Sequence, residues 1–257
     1  MKVVAVIPAR YKSSRFPGKP LADICGKPMV QWVYGEAKKA GCFDRVIVAT
    51  ESDIIVNECR QRGMDVILTS DRHPTGTDRV AEVAQKVDAD VYVIIMGDEP
   101  LIKAEDERRL VDSLNEKEAD AVMLTEKFKY PVDVANMTTI KLAINDDGYL
   151  IFMSRAVIPY PKESLGYPIY KNVGCYALRK EALEFFLHTK PGNIERAEGI
   201  ELLRLLENHK KVLTVEIDSE SMAVDTQKDL DRIRAVMEKC PWGGDEGGLI
   251  PNLSTIG

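Results

Sequence analysis

The sequence runs to 257 residues, 45% of them hydrophobic and 30% charged, a mixture too polar for a membrane protein and too apolar for disorder. Its formal net charge is −6, with Lys and Arg interspersed among acids, which argues against a nucleic-acid polymer as partner, because phosphate backbones are gripped by dense basic surfaces. The apolar start is cut short by Pro8 and Arg10, and the five cysteines (Cys25, Cys42, Cys59, Cys175, Cys240) are scattered and odd in number; the expected setting is a reducing cytoplasm, away from the membrane.

Along the chain, apolar runs alternate with amphipathic ones: 3–7 then 30–39, 45–49 then 54–62, 66–68 then 79–86, and 91–95 then 105–116. This βαβα order predicts an α/β fold, a mostly parallel sheet with helices on both faces and ligands beyond the carboxyl ends of the strands. After a strand at 120–124 the rhythm changes. Residues 138–144, the Asn145-Asp146-Asp147-Gly148 turn and residues 149–153 read as a hairpin, the start of a mixed-sheet extension over about 138–175. The Pro- and Tyr-rich stretch 157–170 reads as an excursion that covers a site or a partner subunit, before 173–178 returns as a strand. Helices at 180–187 and 197–207, a strand at 212–217 and a helix from Thr226 to about Lys239 follow. Residues 1–240 are expected to form one domain, and the Gly- and Pro-rich 241–257 a tail.

Four segments carry chemistry. Directly after the first strand, Pro8-Ala9-Arg10-Tyr11-Lys12-Ser13-Ser14-Arg15-Phe16-Pro17-Gly18-Lys19-Pro20 places four cations and two serine hydroxyls in a loop. Backbone N–H groups with Arg10, Arg15 and Lys19 could neutralise a polyphosphate there, while the plainer reading is a solvated basic loop. It is neither G-x-x-x-x-G-K-[ST] nor G-x-G-x-x-G, which argues against P-loop kinases and dinucleotide-dependent dehydrogenases. Gly97-Asp98-Glu99-Pro100 follows the strand at 91–95, and Val224-Asp225-Thr226 lies between a strand and a helix. Asp98 and Asp225 could hold Mg²⁺ against phosphate oxygens, or Asp98 could open a turn and Asp225 cap the last helix. Thr75-Gly76-Thr77-Asp78-Arg79 leads into a helix; its N–H groups could meet a base or phosphate, or Thr77 could simply be an N-cap.

Read together, Pro8-Ala9-Arg10, the run Ser13 to Leu21, Thr75-Gly76-Thr77-Asp78-Arg79, Gly97-Asp98-Glu99-Pro100, Ser154-Arg155-Ala156-Val157-Ile158-Pro159 and Val224-Asp225-Thr226 resemble, in order and spacing, the 3-deoxy-manno-octulosonate (Kdo) cytidylyltransferases, over about residues 2–238. The resemblance implies a nucleotide-diphospho-sugar transferase-like (Rossmann-like) α/β body with a dimerisation extension, hence a homodimer. It implies CMP transfer from CTP to a small acidic acceptor, a 2-keto sugar acid of lipopolysaccharide or capsule biosynthesis, with release of pyrophosphate and with Mg²⁺ as cofactor. Carried onto this chain, it assigns CTP to Pro8, Ala9, Arg10, Ser14, Arg15, Lys19, Thr75, Gly76 and Arg79, catalysis to Arg10, Lys19 and Asp98, and metal to Asp98 and Asp225.

The family pattern is departed from at three positions on the acceptor side. Met96 stands where the family has Gln, Asn172 where it has His, and Leu202 where it has Gln. Met and Leu cannot donate the hydrogen bonds that Gln can, so a polyol acid would lose roughly 1–3 kcal/mol per buried polar group left unpaired. Arg155, Lys171, Asn172, Tyr176 and Glu201 remain as acceptor candidates beside Met96 and Leu202. The rivals are a phosphonate or phosphate monoester as acceptor, and, in another class, an inactive nucleotide-binding regulatory protein.

Overall fold

The structure is a computed structural model that describes residues 1–12, 16–129, 131–163 and 166–239. Four parallel strands make its first half: β1 (Val3–Pro8), β4 (Arg45–Thr50), β5 (Val66–Leu68) and β6 (Val91–Ile95). A short hairpin, β2 (Asp23–Ile24) and β3 (Lys27–Pro28), stands apart as its own two-stranded sheet. The large sheet continues through β7 (Ala121–Lys127), the hairpin strands β8 (Lys141–Ile144) and β9 (Leu150–Ser154), β10 (Tyr170–Arg179) and β11 (Val212–Glu216). Its order is β11-β7-β10-β6-β1-β4-β5, with β8 joining β10 and carrying β9. β10 runs antiparallel between β6 and β7, and β11 is parallel to β7.

The helices explain why the strands are so apolar. α1 (Met29–Ala40), α2 (Asp53–Gln61) and α4 (Ala104–Glu116) cover one face, α3 (Gly76–Lys86) and α6 (Lys180–His188) the other. Val3, Ala5 and Ile7 of β1 enter the first core, and Val4 and Val6 the second. With both faces covered, period-2 alternation gives way to a continuous apolar run. Each fully buried Val or Ile side chain contributes about 1.5–3 kcal/mol over its exposed state. The short α5 (Pro131–Val134), α7 (Asn193–Glu198) and α8 (Leu203–Glu207) fill the connections.

α9 (Gln227–Lys239) closes the chain against β2 and α1. Its Leu230, Ile233, Val236 and Met237 share a third core with Ile24, Met29, Trp32, Leu101 and Val224. Thr226 caps this helix, accepting from Asp229 N while Asp229 Oδ2 accepts from the Thr226 and Asp225 N–H groups. The cap is therefore Thr226 and not Asp225, whose carboxylate points elsewhere.

The single helix expected at 197–207 is instead α7 and α8, because Gly199 takes a left-handed conformation (φ 64°) that ends the first helix. α3 begins at Gly76, three residues before the expected start, with Thr75 and not Thr77 as its N-cap. The expected tail, 241–257, lies outside the described residues.

Candidate functional site

β1 and β6 are parallel neighbours, so the segments leaving their carboxyl ends run side by side. Gly97 makes that approach possible: a Cβ there would stand 3.0 Å from Pro8 O. The loop after β1 is closed by Gly18 N donating to Tyr11 O at 2.8 Å, and Lys19 opens a single 3₁₀ turn, Lys19–Leu21, behind it. Val224 N donates to Asp98 O at 2.8 Å. That bond, with the packing of α9, brings the far end of the chain to the same place.

The product is a cleft of about 350 Å³ lined by Pro8, Ala9, Arg10, Lys12, Lys19, Pro20, Gly76, Met96, Gly97, Asp98 and Asp225, a size suited to a small ligand. Lys19 Nζ sits at its charged centre, 2.6 Å from Asp98 Oδ2, 2.7 Å from Val224 O and 3.8 Å from Asp225 Oδ1. Arg10 is exposed at the same mouth. A neighbouring recess of about 380 Å³ is lined by Tyr11, Lys12, Glu51, Ser52, Thr69, Ser70 and Asp71, so Lys12 borders both.

The donor set suits a hard divalent cation. Two carboxylates and a carbonyl oxygen already surround one positive charge, the Lys19 ammonium, as a stand-in. Mg²⁺ is commonly held by one or two carboxylates plus substrate phosphates, and among the described residues no third His, Cys, Asp or Glu makes a metal cluster with these two.

Other sequence candidates lie elsewhere. Arg79 is only 1% exposed, pairing with Glu51 Oε2 at 3.1 Å and donating to Thr69. Burial lowers its pKa, against the opposing pull of Glu51. It underpins the loops around the cleft and does not face into it. Thr75 is occupied as the helix cap. Arg155 donates to the carbonyls of Glu198, Met137 and Thr138, which ties the β9 end to α7, outside the cleft lining. Leu202 is 3% exposed within the core on the α3 and α6 face, so it is a packing residue and not a wall of the cleft. Lys171 is held by Glu126 at 2.9 Å. Ser14 and Arg15 lie outside the described residues.

Tyr176 and Glu201 form a second group just behind Gly76. The Tyr176 hydroxyl donates to Glu201 Oε1 at 2.8 Å and shares a 2.9 Å hydrogen bond with Thr77, whose N–H donates to Glu201 Oε2 at 3.3 Å. Asn172 precedes a register shift in β10 opposite Thr125. Met96 stands between these groups and the charged centre, its Sδ 3.8 Å from the position of a Cβ on Gly76.

Sequence reasoning gave no role to Glu99, although it lies in the quoted Gly-Asp-Glu-Pro run. Its carboxylate accepts from Gly174 N at 2.6 Å and from the Ser221 hydroxyl. Burial pushes its pKa up to about 7; the Ser221 bond opposes this, Asp98 adds to it, and Gly174 N–H and Lys171 oppose it.

Comparison with known proteins follows the same line. A model of the cytidylyltransferase family matches residues 4–212. A 3-deoxy-manno-octulosonate cytidylyltransferase of Photobacterium profundum is 41% identical over 249 residues, covering 92% of this chain and 100% of that protein. Another, from Geobacter metallireducens, is 40% identical over 249 residues, covering 91% and 96%. Among solved structures, CMP:2-keto-3-deoxy-manno-octonic acid synthetase complexed with CTP matches at a TM-score of 0.89 and 36% identity, over 93% of this chain and 99% of that one. A cytidylyltransferase from Leptospira borgpetersenii, 18% identical with a TM-score of 0.64 over 93% and 87% of the two chains, shares the fold. The mostly parallel α/β architecture expected from the sequence is thus the one these proteins have.

Proposed function

The chain belongs to the cytidylyltransferase family, and from that premise we propose that it transfers CMP from CTP to Kdo or a closely related 2-keto sugar acid, releasing pyrophosphate. The observation that carries this reading is the Lys19 ammonium gathered between Asp98 and Asp225 at the mouth of the sheet, with Arg10 beside it. The curated relatives with nearly full mutual coverage are Kdo cytidylyltransferases, which favours that acceptor.

The triphosphate lies along the loop after β1, where Lys19 and Arg10 neutralise the departing pyrophosphate. The acceptor carboxylate and hydroxyls lie toward Met96, Asn172, Tyr176 and Glu201. Its anomeric hydroxyl attacks the α-phosphorus in line, so no enzyme nucleophile is needed. Asp98 and Asp225 would hold Mg²⁺, which when bound screens phosphate charge and lowers the pKa of an attacking hydroxyl. Positioning and charge neutralisation are the protein's own contribution.

The active unit is a homodimer joined through the β8–β9 hairpin and the described residues that follow it, and it works in the cytoplasm. No helix among the described residues is long and apolar enough to cross a membrane.

The test is pyrophosphate release from CTP and Mg²⁺ with Kdo, its 8-amino analogue and a phosphonate offered in parallel. Turnover with a 2-keto sugar acid supports the reading. Turnover with the phosphonate alone moves the acceptor class, and CTP binding without turnover on any acceptor removes the enzyme reading.

A further inference from the structure

We propose that Glu99 and Ser221 are a positioning pair that holds the carboxylates of Asp98 and Asp225 at the spacing a divalent cation requires. The proposal rests on the reading of those two aspartates as metal ligands.

Asp98 and Asp225 come from loops that are distant in sequence, one after β6 and the other before α9. Nothing in either loop alone determines their separation. Glu99 directly follows Asp98, and Ser221 precedes Asp225 by four positions. The Ser221 hydroxyl donates to Glu99 Oε2, a link across 122 residues. The other Glu99 oxygen accepts from Gly174 N at 2.6 Å, which fastens the same carboxylate to β10. One side chain therefore joins the metal-bearing loop, the central sheet and the segment that delivers the second aspartate.

The rest of Ser221 is equally tied. Its N–H donates to Glu126 Oε2 at 3.1 Å, and its carbonyl accepts from Lys171 Nζ at 2.9 Å. Ser219, two residues earlier, donates to Asp106 of α4. Beyond Ser221 only a short span remains before Val224 N reaches Asp98 O at 2.8 Å. The loop is thus anchored on both sides of its turn toward the cleft.

Stability alone does not account for a carboxylate at this position. Glu99 is 7% exposed and makes no salt bridge among the described residues. Burying such a group is costly unless its hydrogen bonds are well made, and an apolar residue of like volume would commonly serve packing better. Gly174 is matched to it: a Cβ there would stand 2.5 Å from Glu99 Oε1 and 2.9 Å from Met96 Cβ. Groups that orient metal ligands commonly change metal affinity by about 10–100-fold when removed, without touching the ion themselves.

The experiment compares the full-length protein with Ser221→Ala, Glu99→Gln and Asp98→Asn. Mn²⁺ binding in the presence of CTP is read by electron paramagnetic resonance, CTP binding in EDTA by calorimetry, and thermal midpoints are recorded alongside. Ser221→Ala removes one hydroxyl and is expected to weaken Mn²⁺ binding about tenfold, to leave metal-free CTP binding within about twofold, and to regain turnover at raised Mg²⁺. Glu99→Gln, which turns one acceptor into a donor facing Gly174 N–H or Ser221, is expected to weaken Mn²⁺ binding at least as much.

Unchanged Mn²⁺ affinity in both variants, with a lowered thermal midpoint, would make the pair a packing feature and overturn the proposal. Asp98→Asn separates this from the underlying reading. If Asp98→Asn weakens Mn²⁺ binding and the other two do not, only the positioning role falls. If Asp98→Asn also leaves it unchanged, the metal site falls and the proposal with it.

Discussion

Lys19 donates to Asp98 at 2.6 Å, joining the loop after β1 to the loop after β6 by a charge-assisted bond inside the cleft. With Asp225 at 3.8 Å, the ammonium keeps two carboxylates from facing each other unscreened. Lys19→Met leaves them so and removes a cation from the leaving group. The expected result is a fall in kcat of about 100-fold or more, with the fold intact and the acceptor KM little changed. Steady-state pyrophosphate release together with circular dichroism checks it. A variant that keeps the wild-type kcat would take Lys19 out of the chemistry.

Met96 is the departure from the family pattern that still faces the cleft, since Leu202 has been absorbed into the core. Its flexible, apolar side chain offers no donor to a sugar hydroxyl. Met96→Gln changes volume little and adds a donor and an acceptor. For a 2-keto sugar acid the KM is expected to fall about tenfold, the gain from pairing one polar group, while the KM for CTP stays put. Kinetics with both substrates varied separate the two effects. An unchanged acceptor KM would place the sugar hydroxyls away from residue 96.

The strands of the first half were legible because both faces of the sheet are covered, so β1 and β6 are apolar throughout and β4 is apolar from Val46 to Ala49. The candidate phosphate loop stood out for a similar local reason, since Arg10, Lys12, Arg15 and Lys19 lie close together and follow a strand end. What could not be read was whatever depends on distant partners. Arg79 looks like any polar residue in the first turn of a helix, and only Glu51, at the end of β4, makes it a buried cation. Leu202 sits in a run of leucines that all pack into the core, and with Gly199 breaking the helix just before them no helical period marked it as a packing residue. The Glu99–Ser221 bond spans 122 residues and has no local sign at all.

Glu107 offers a stability test away from the cleft. It is fully buried, and among the described residues neither carboxylate oxygen has a hydrogen-bond partner. Burial, then Glu36 of α1 and Asp106 beside it, push its pKa well above the ordinary carboxylate range. The folded state therefore favours the protonated acid. Relative to the unfolded chain, the cost of this group grows as pH rises above the unfolded value, up to the raised folded one. Glu107→Met is expected to stabilise the protein by about 1–3 kcal/mol at neutral pH, and the gain should be larger at pH 8 than at pH 5. Thermal or urea unfolding across that range reads the sign directly. A gain independent of pH would mean that Glu107 does not titrate differently on folding.

The β8–β9 hairpin and the segments on either side of it carry an apolar surface that the described residues do not cover. Ile151 is 60% exposed, Tyr160 82% and Met137 74%. Ile151 is exposed while Leu150, just before it, packs into the core. The loop is held near the hairpin: the Tyr167 hydroxyl donates to Ile144 O at 3.1 Å, and its ring packs edge-on against Tyr170. A surface presented on a braced support suits a partner, and the proposed dimer makes that partner a second copy. Ile151→Glu combined with Tyr160→Glu adds charge to this face without touching the cleft. Sedimentation velocity is expected to show the wild type at twice the mass of the double variant, with unchanged circular dichroism. Equal masses for the two proteins would place the oligomeric contact elsewhere or remove it.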